Sequence, residues 1–148
     1  KKVGNADGPR IMVAGHLDEV GFLVTKRDKQ GYLKIHPLGG WWGQVVLAQQ
    51  VTITSSTGKE IHGVIGSKPP HILSVEDRKK PTDLKNIFVD IGVNDKESAL
   101  ALGIEIGDMV TPDIEFREMA DHEYLLWKAW DYSIGCSIAL GVAKNIQN

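Results

Sequence analysis

A single cysteine, Cys136, stands among 148 residues. A lone thiol excludes an internal disulfide and with it every disulfide-stapled scaffold. It fits a reducing compartment, and the expected location is cytoplasmic. No apolar run approaches the roughly 20 residues that a membrane span needs, and no signal-peptide pattern is present. Excess charge of one sign is also missing, since 17 basic residues face 19 acidic ones for a formal net charge of −2. The one short basic cluster, Arg78-Lys79-Lys80, follows Glu76-Asp77 and reads as a solvated loop. Neither nucleic acid nor a membrane is therefore an expected partner. No glycine pattern suits a phosphate or a dinucleotide, no nucleophile elbow occurs, and Cys136 has no placed base. No carboxylate pair points to a glycosidase. What is present is the 42% hydrophobic content of an ordinary globular chain, long enough for one real core.

The chain is organised around Ile11-Met12-Val13-Ala14-Gly15-His16-Leu17-Asp18. The apolar run predicts a strand buried on both faces. If the extended backbone continues through His16, the imidazole and the Asp18 carboxylate emerge on the same side, at i and i+2. An imidazole with an acidic neighbour is a common preparation for a metal ligand, one ring nitrogen on the ion and the other held by an oxygen.

Downstream, Val20 to Thr25 and Tyr32 to His36 predict a hairpin about the turn Asp28-Lys29-Gln30-Gly31. Leu47 to Thr54 and Glu60 to Ile65 predict another about Ser55 to Gly58. The prolines of Pro69-Pro70-His71 require an irregular loop, and Ser74 to Lys85 reads as an exposed excursion with one helical turn. Ile87 to Ile91 is a further strand. Asn94 with Glu97 suggests a capping box for a helix from Asp95 to Leu102, ended by Gly103. Met109 to Thr111, Ile114 to Met119 and Tyr124 to Lys128 complete the strands. Five or six short strands between about residues 21 and 113 predict a small barrel or sandwich. Ile134, Ile138, Val142 and Ile146 then mark one face of an amphipathic helix that begins just after Asp131. The pattern predicts a discontinuous fold, with residues 1–20 and 114–148 in an α/β sheet and residues 21–113 inserted as a barrel. The chain starts at Lys1 without an initiator Met and stops at Asn148 inside a helical pattern, so a piece of a longer protein is expected.

Asp131 sits where a strand hands over to a helix. It suits either an N-cap or a ligand at the carboxyl end of a strand. His36, His62, His71 and His122 have no mutual ligand spacing and read as surface or loop residues. Trp41-Trp42 could serve as core anchor, ligand platform or subunit contact.

Taken together, these residues carry a resemblance. Gly15-His16-Leu17-Asp18-Glu19-Val20-Gly21-Phe22 resembles the metal-binding opening of the M42 family of metallo-aminopeptidases, which includes glutamyl, deblocking and tetrahedral, dodecameric enzymes, some labelled cellulases. The similarity continues through Pro37-Leu38-Gly39-Gly40-Trp41-Trp42, through Val64 to Leu73, through Phe88-Val89-Asp90-Ile91-Gly92 and Gly107-Asp108, to Lys128-Ala129-Trp130-Asp131. It implies a partial α/β catalytic domain interrupted by a β-barrel dimerisation domain, and a homo-oligomer of dimer or dodecamer type. It also implies a site of two divalent ions, zinc or cobalt, that hydrolyses N-terminal residues from peptides. His16 would ligate one ion, Asp18 would orient His16, and Asp131 would bridge both ions.

Two departures accompany the resemblance. Tyr132-Ser133 stands where the family carries Asn-Arg, which removes a fixed cation beside the bridging carboxylate. The paired glutamates, a further acidic ligand and a final His of the family lie beyond Asn148. Two ligands do not close a dinuclear site, so the 148-residue chain is expected to be inactive by itself. The alternative from another class is a non-catalytic remnant that serves as an oligomerisation or interaction module.

Overall fold

The computed structural model describes residues 7–146. They divide into two compact units, Val20–Ile114 and a second made of the described parts of Lys1–Glu19 and Glu115–Asn148.

The first unit is a closed six-stranded barrel. β1 (Gly21–Arg27) and β2 (Leu33–Leu38) form the first hairpin. Its turn is held by Asp28, whose Oδ1 accepts from the backbone N–H of Gln30 at 2.9 Å and of Tyr32 at 3.0 Å. Gly31 supplies the positive φ of 87° that an L side chain disfavours. β3 (Gln50–Thr54) and β4 (Glu60–Gly66) form the second hairpin. There Ser55 caps the turn, its Oγ accepting from Lys59 N at 3.1 Å. β5 (Phe88–Asp90) pairs with both β2 and β4. β6 (Met109–Pro112) pairs with both β3 and β1 and closes the ring in the order β1-β2-β5-β4-β3-β6. Every pairing is antiparallel, and closure leaves no unpaired sheet edge. The period-2 alternation sends Phe22 and Val24, Leu33 and Ile35, Val51 and Ile53 into one buried cluster with Ile65, Val89 and Val110.

Trp41 and Trp42 separate in role. Trp41 is half-buried, stacks on Phe22 with ring centroids 4.8 Å apart, and donates its indole N–H to the Gly21 carbonyl at 3.0 Å. It is a core anchor. Trp42 is 59% exposed. The next residues form a short helix the sequence reading did not foresee, α1 (Gly43–Val46), which buries Val46. Gly43 is required there: a Cβ would collide with the backbone carbonyl of Thr82. Gly43→Ala should therefore cost about 1–3 kcal/mol, the range for overpacking a filled site. Urea unfolding followed at Trp41 would measure it, and an unchanged midpoint would refute this account.

The excursion after β4 holds a 3-10 turn, Pro70–Ile72, and one helical turn, α2 (Val75–Arg78), capped by Ser74. α3 (Lys96–Ala101) starts one residue later than the capping-box pattern suggests. Asp95, not Asn94, is the N-cap, its Oδ1 accepting from Ser98 N at 2.7 Å. The Ser98 side chain first, and its backbone N–H second, lower the pKa of the Asp95 carboxyl from its ordinary value. Gly103 follows the helix with φ 84°.

In the second unit, two expected strands shrink to a pair of two-residue strands, β7 (Arg117–Glu118) and β8 (Leu125–Leu126), followed by the expected helix, α4 (Trp130–Asn145). The strand expected over Ile11 to Ala14 does not form. These residues carry no regular structure, and Ile11 and Met12 are 82% and 89% exposed. A strand buried on both faces exists only between neighbours that complete its ladder. Among the described residues none pairs with this stretch, so its hydrophobicity alone does not make it a strand. The α/β sheet expected around it is correspondingly not formed among the described residues. The periodic face of α4 is open too, with Ile138 at 53% exposure. No helix among the described residues is long and apolar enough to cross a membrane.

Candidate metal centre

His16 is positioned by what surrounds Gly15. A Cβ at Gly15 would lie 2.6 Å from the Cys136 nitrogen and 2.8 Å from the Gly135 carbonyl carbon. Only glycine lets the segment lie directly against the start of α4. The next carbonyl, that of His16, accepts from Cys136 Sγ at 3.4 Å. The imidazole is then held from one side. Its Nδ1 is 3.1 Å from the Asp18 carbonyl oxygen and 3.3 Å from Asp18 Oδ1. With Nδ1 as the donor, Nε2 keeps its lone pair and faces outward. Asp18 thus touches His16 through its backbone as well as its carboxylate, a contact that i, i+2 side-chain logic did not supply.

Nε2 faces Asp131. Asp131 Oδ1 lies 3.6 Å from it, although both side chains are open to solvent. Asp131 does not cap the helix through its side chain: it lies at a kink with φ and ψ of −91° and 97°, and among the described residues its carboxylate has a contact to His16 and none to a helix N–H. The Asp131–Tyr132 peptide is cis. Among the described residues the Asp131 carboxylate has no partner besides His16.

The spacing can be tested against a metal. Two ligands on one tetrahedral zinc at about 2.0–2.2 Å stand roughly 3.4 Å apart. The observed 3.6 Å between His16 Nε2 and Asp131 Oδ1 fits two corners of such an ion. The other corners are not supplied here: among the described residues no group of three or more His, Cys, Asp and Glu side chains converges. His36 is exposed on β2 and His71 exposed in the turn after β4. His62 pairs with Asp113 at 3.0 Å, and His122 with Glu118 at 2.7 Å. The four remain surface or loop histidines, as their spacing suggests.

Three further residues shape this site. Glu19 and Lys128 form an ion pair of 2.8 Å with both side chains largely buried, 20% and 24% exposed. It fastens the segment after Asp18 to the segment before Asp131. Both residues lie within the family-like motifs, but nothing in their spacing announced the pair. Tyr132 lies with its ring centroid 5.8 Å from that of His16, tilted by 41°. A Cβ on Gly135 would run into the Tyr132 ring. The bulky residue in the family's Asn position is thus accommodated over a glycine and walls one side of the imidazole.

Comparison with known proteins identifies relatives of the chain as a whole. The chain is 39% identical over 140 residues to the glutamyl aminopeptidase of Lactococcus lactis subsp. cremoris, covering 94% of this chain and 39% of the relative. It is 32% identical over 130 residues to the lysyl aminopeptidase of Pyrococcus furiosus, covering 83% and 37%. A crystal structure of the TET aminopeptidase from Thaumarchaeota archaeon SCGC AB-539-E09 superposes with a TM-score of 0.87 at 40% identity, over 95% of this chain and 39% of that one. The TET1 peptidase of Pyrococcus horikoshii, which can assemble into a tetrahedron or a large octahedral shell, superposes with a TM-score of 0.74 at 27% identity, over 89% and 39%. The chain spans about two fifths of the length of these relatives. The family model of the M42 glutamyl aminopeptidases matches residues 1–148 throughout, and the chain belongs to that family.

Proposed function

We propose that this chain contributes the first ligands of a dinuclear aminopeptidase site that removes N-terminal residues from peptides. The observation that supports this most directly is the approach of His16 Nε2 and Asp131 Oδ1 to 3.6 Å, a ligand-like spacing between two exposed groups with no other bond between them. M42 aminopeptidases are metal-dependent enzymes, and zinc or cobalt is the expected ion. When bound, the ions supply Lewis acidity toward the scissile carbonyl and a water acidified toward neutral pH. His16 would hold one ion through Nε2, with Nδ1–H donated to Asp18 so that ring and tautomer are fixed. Asp131 would be the second residue to hold the metal, its carboxylate supplying the negative charge beside His16. Asp18 and the Glu19–Lys128 pair are positioning groups. The relatives named above are aminopeptidases, which favours this reading over an interaction module that keeps only the barrel.

On the same reading, residues 1–20 and 114–148 belong to an α/β catalytic domain, and residues 21–113 are a barrel inserted for self-association into a dimer or larger shell. The 148-residue chain binds metal weakly and releases nothing from a panel of aminoacyl p-nitroanilides, because His16 and Asp131 would give one ion two protein ligands and the other only one. Titrating the isotope-labelled chain with Co²⁺ tests this directly. Paramagnetic broadening should centre on His16 and Asp131 and vanish in His16→Ala. Broadening spread evenly over the surface histidines would refute the ligand assignment. Turnover by the chain with added metal, lost in His16→Ala, would refute its inactivity.

A further inference from the structure

The barrel unit carries a groove that plays no part in the reading above. Its floor is Leu47, Ala48 and Ile65, and its volume is about 490 Å³. That lies within the usual range for small-ligand pockets, about 300–1,000 Å³. One wall is Lys68-Pro69-Pro70; the other is made by Arg78, Lys80 and Thr82. A second hollow of about 280 Å³ continues along the same residues past Pro81 and Asn86. Every lining residue belongs to the unit Val20–Ile114, so neither His16 nor Asp131 lines it.

Three features mark this groove as built. First, its charge opposes that of the chain. Lys68, Arg78 and Lys80 line it and form no ion pair among the described residues, whereas their neighbours Lys79 and Lys85 pair with Glu76 at 3.5 Å and Asp83 at 2.7 Å. Asp77 is the one carboxylate in the main cavity, and it is engaged by Ser74 Oγ at 2.7 Å. Unpaired cations gathered in a chain of net charge −2 form a local positive field. Second, Arg78 is pre-aimed. Its Nε donates to the Leu73 carbonyl at 3.3 Å, which fixes the stem and leaves the two terminal nitrogens as a fork suited to a carboxylate. Third, the frame is rigid. Thr82 is locked against Gly43, where no side chain would fit, and two consecutive prolines stiffen the opposite wall. Ala48 on the floor holds a positive φ of 62°, a costly conformation for a residue with a Cβ.

We infer that this groove binds an extended peptide segment bearing carboxylates, with Arg78 forking one carboxylate, Lys68 and Lys80 attracting others, and Leu47, Ile65 and the prolines covering the apolar flank. The apolar floor between the cations favours a peptide over a bare inorganic anion, which would leave that floor unused. The inference does not depend on the metal-site reading, and its test is chosen to keep the two apart.

The experiment uses the ¹⁵N-labelled 148-residue chain and an N-acetylated, C-amidated Leu-Glu-Pro-Glu-Leu peptide. Its blocked terminus makes it no aminopeptidase substrate. Saturable amide shifts are expected at Ala48, Ile65, Ser67 and Leu73, weakening as salt is raised. The Gln-for-Glu peptide should bind at least about tenfold more weakly, the loss that follows from leaving charge-assisted bonds unmade. Arg78→Ala and Lys68→Ala should each weaken the acidic peptide several-fold, Arg78→Lys should not restore the Arg78 loss, and Lys79→Ala should leave binding unchanged. Equal binding of the Gln peptide, inorganic phosphate binding as tightly as the peptide, or shifts scattered away from these residues would each overturn the proposal.

Discussion

Phe22→Ala should cost about 3–5 kcal/mol, the range for truncating a buried aromatic, and lower the barrel's melting temperature by more than about 10 °C. Phe22 is 1% exposed at the point where three constraints meet. It faces the core from β1, it pairs through the backbone with Val110 of β6 at the closing seam, and it stacks on Trp41. Truncation removes the ring contacts and leaves a cavity that a closed ring of short strands cannot collapse to fill. Stabilities of this class of domain lie near 5–15 kcal/mol in total, so the loss is a large fraction. Phe22→Leu keeps most of the volume and should cost less than half as much. Thermal unfolding followed by near-ultraviolet circular dichroism would report both changes, since Trp41 lies in the perturbed site. A melting point within about 3 °C of the parent would show that the seam is held elsewhere.

The second large effect concerns metal affinity in a protein that carries the remaining ligands of the proposed site. His16→Ala should lower affinity by more than about 100-fold, because it removes a ligand rather than a group that orients one. Asp18→Ala should fall near the low end of the 10–100-fold range typical of orienting partners. The reason is the backbone contact: the Asp18 carbonyl stands 3.1 Å from Nδ1, nearer than the carboxylate at 3.3 Å, and survives the substitution. Competition against a chelator with a metal readout gives both numbers without reference to turnover. Equal losses for the two variants would mean that the carboxylate acts on the ion directly, contrary to the assignment.

How far the sequence carried each feature depends on how local its cause is. Both hairpins were legible because their turns are made by residues in contact along the chain, Asp28 with Tyr32 and Ser55 with Lys59. The helix after Asp131 was legible through its four-residue repeat. The metal-ligand candidates were legible only as a motif. The cap of α3 was missed by one residue, since Asn94 and Asp95 are chemically alike as caps and only the packed helix chooses between them. The helix Gly43–Val46 was missed because four residues hold no period to read.

By itself, then, the sequence determined the lineage, the strand segments of the barrel and the chemical identity of His16, Asp18 and Asp131, since these rest on residue type and short spacing. The tertiary structure alone decided that β5 enters between β2 and β4 and that β6 closes the ring. It also decided that Trp41 is core while Trp42 is exposed, and that His16 and Asp131 come within 3.6 Å of each other. It decided against a strand at Ile11 to Ala14, which has no ladder to join. Pairing between distant segments is not encoded in any one of them. It follows from which combination buries the most apolar surface with every backbone group satisfied.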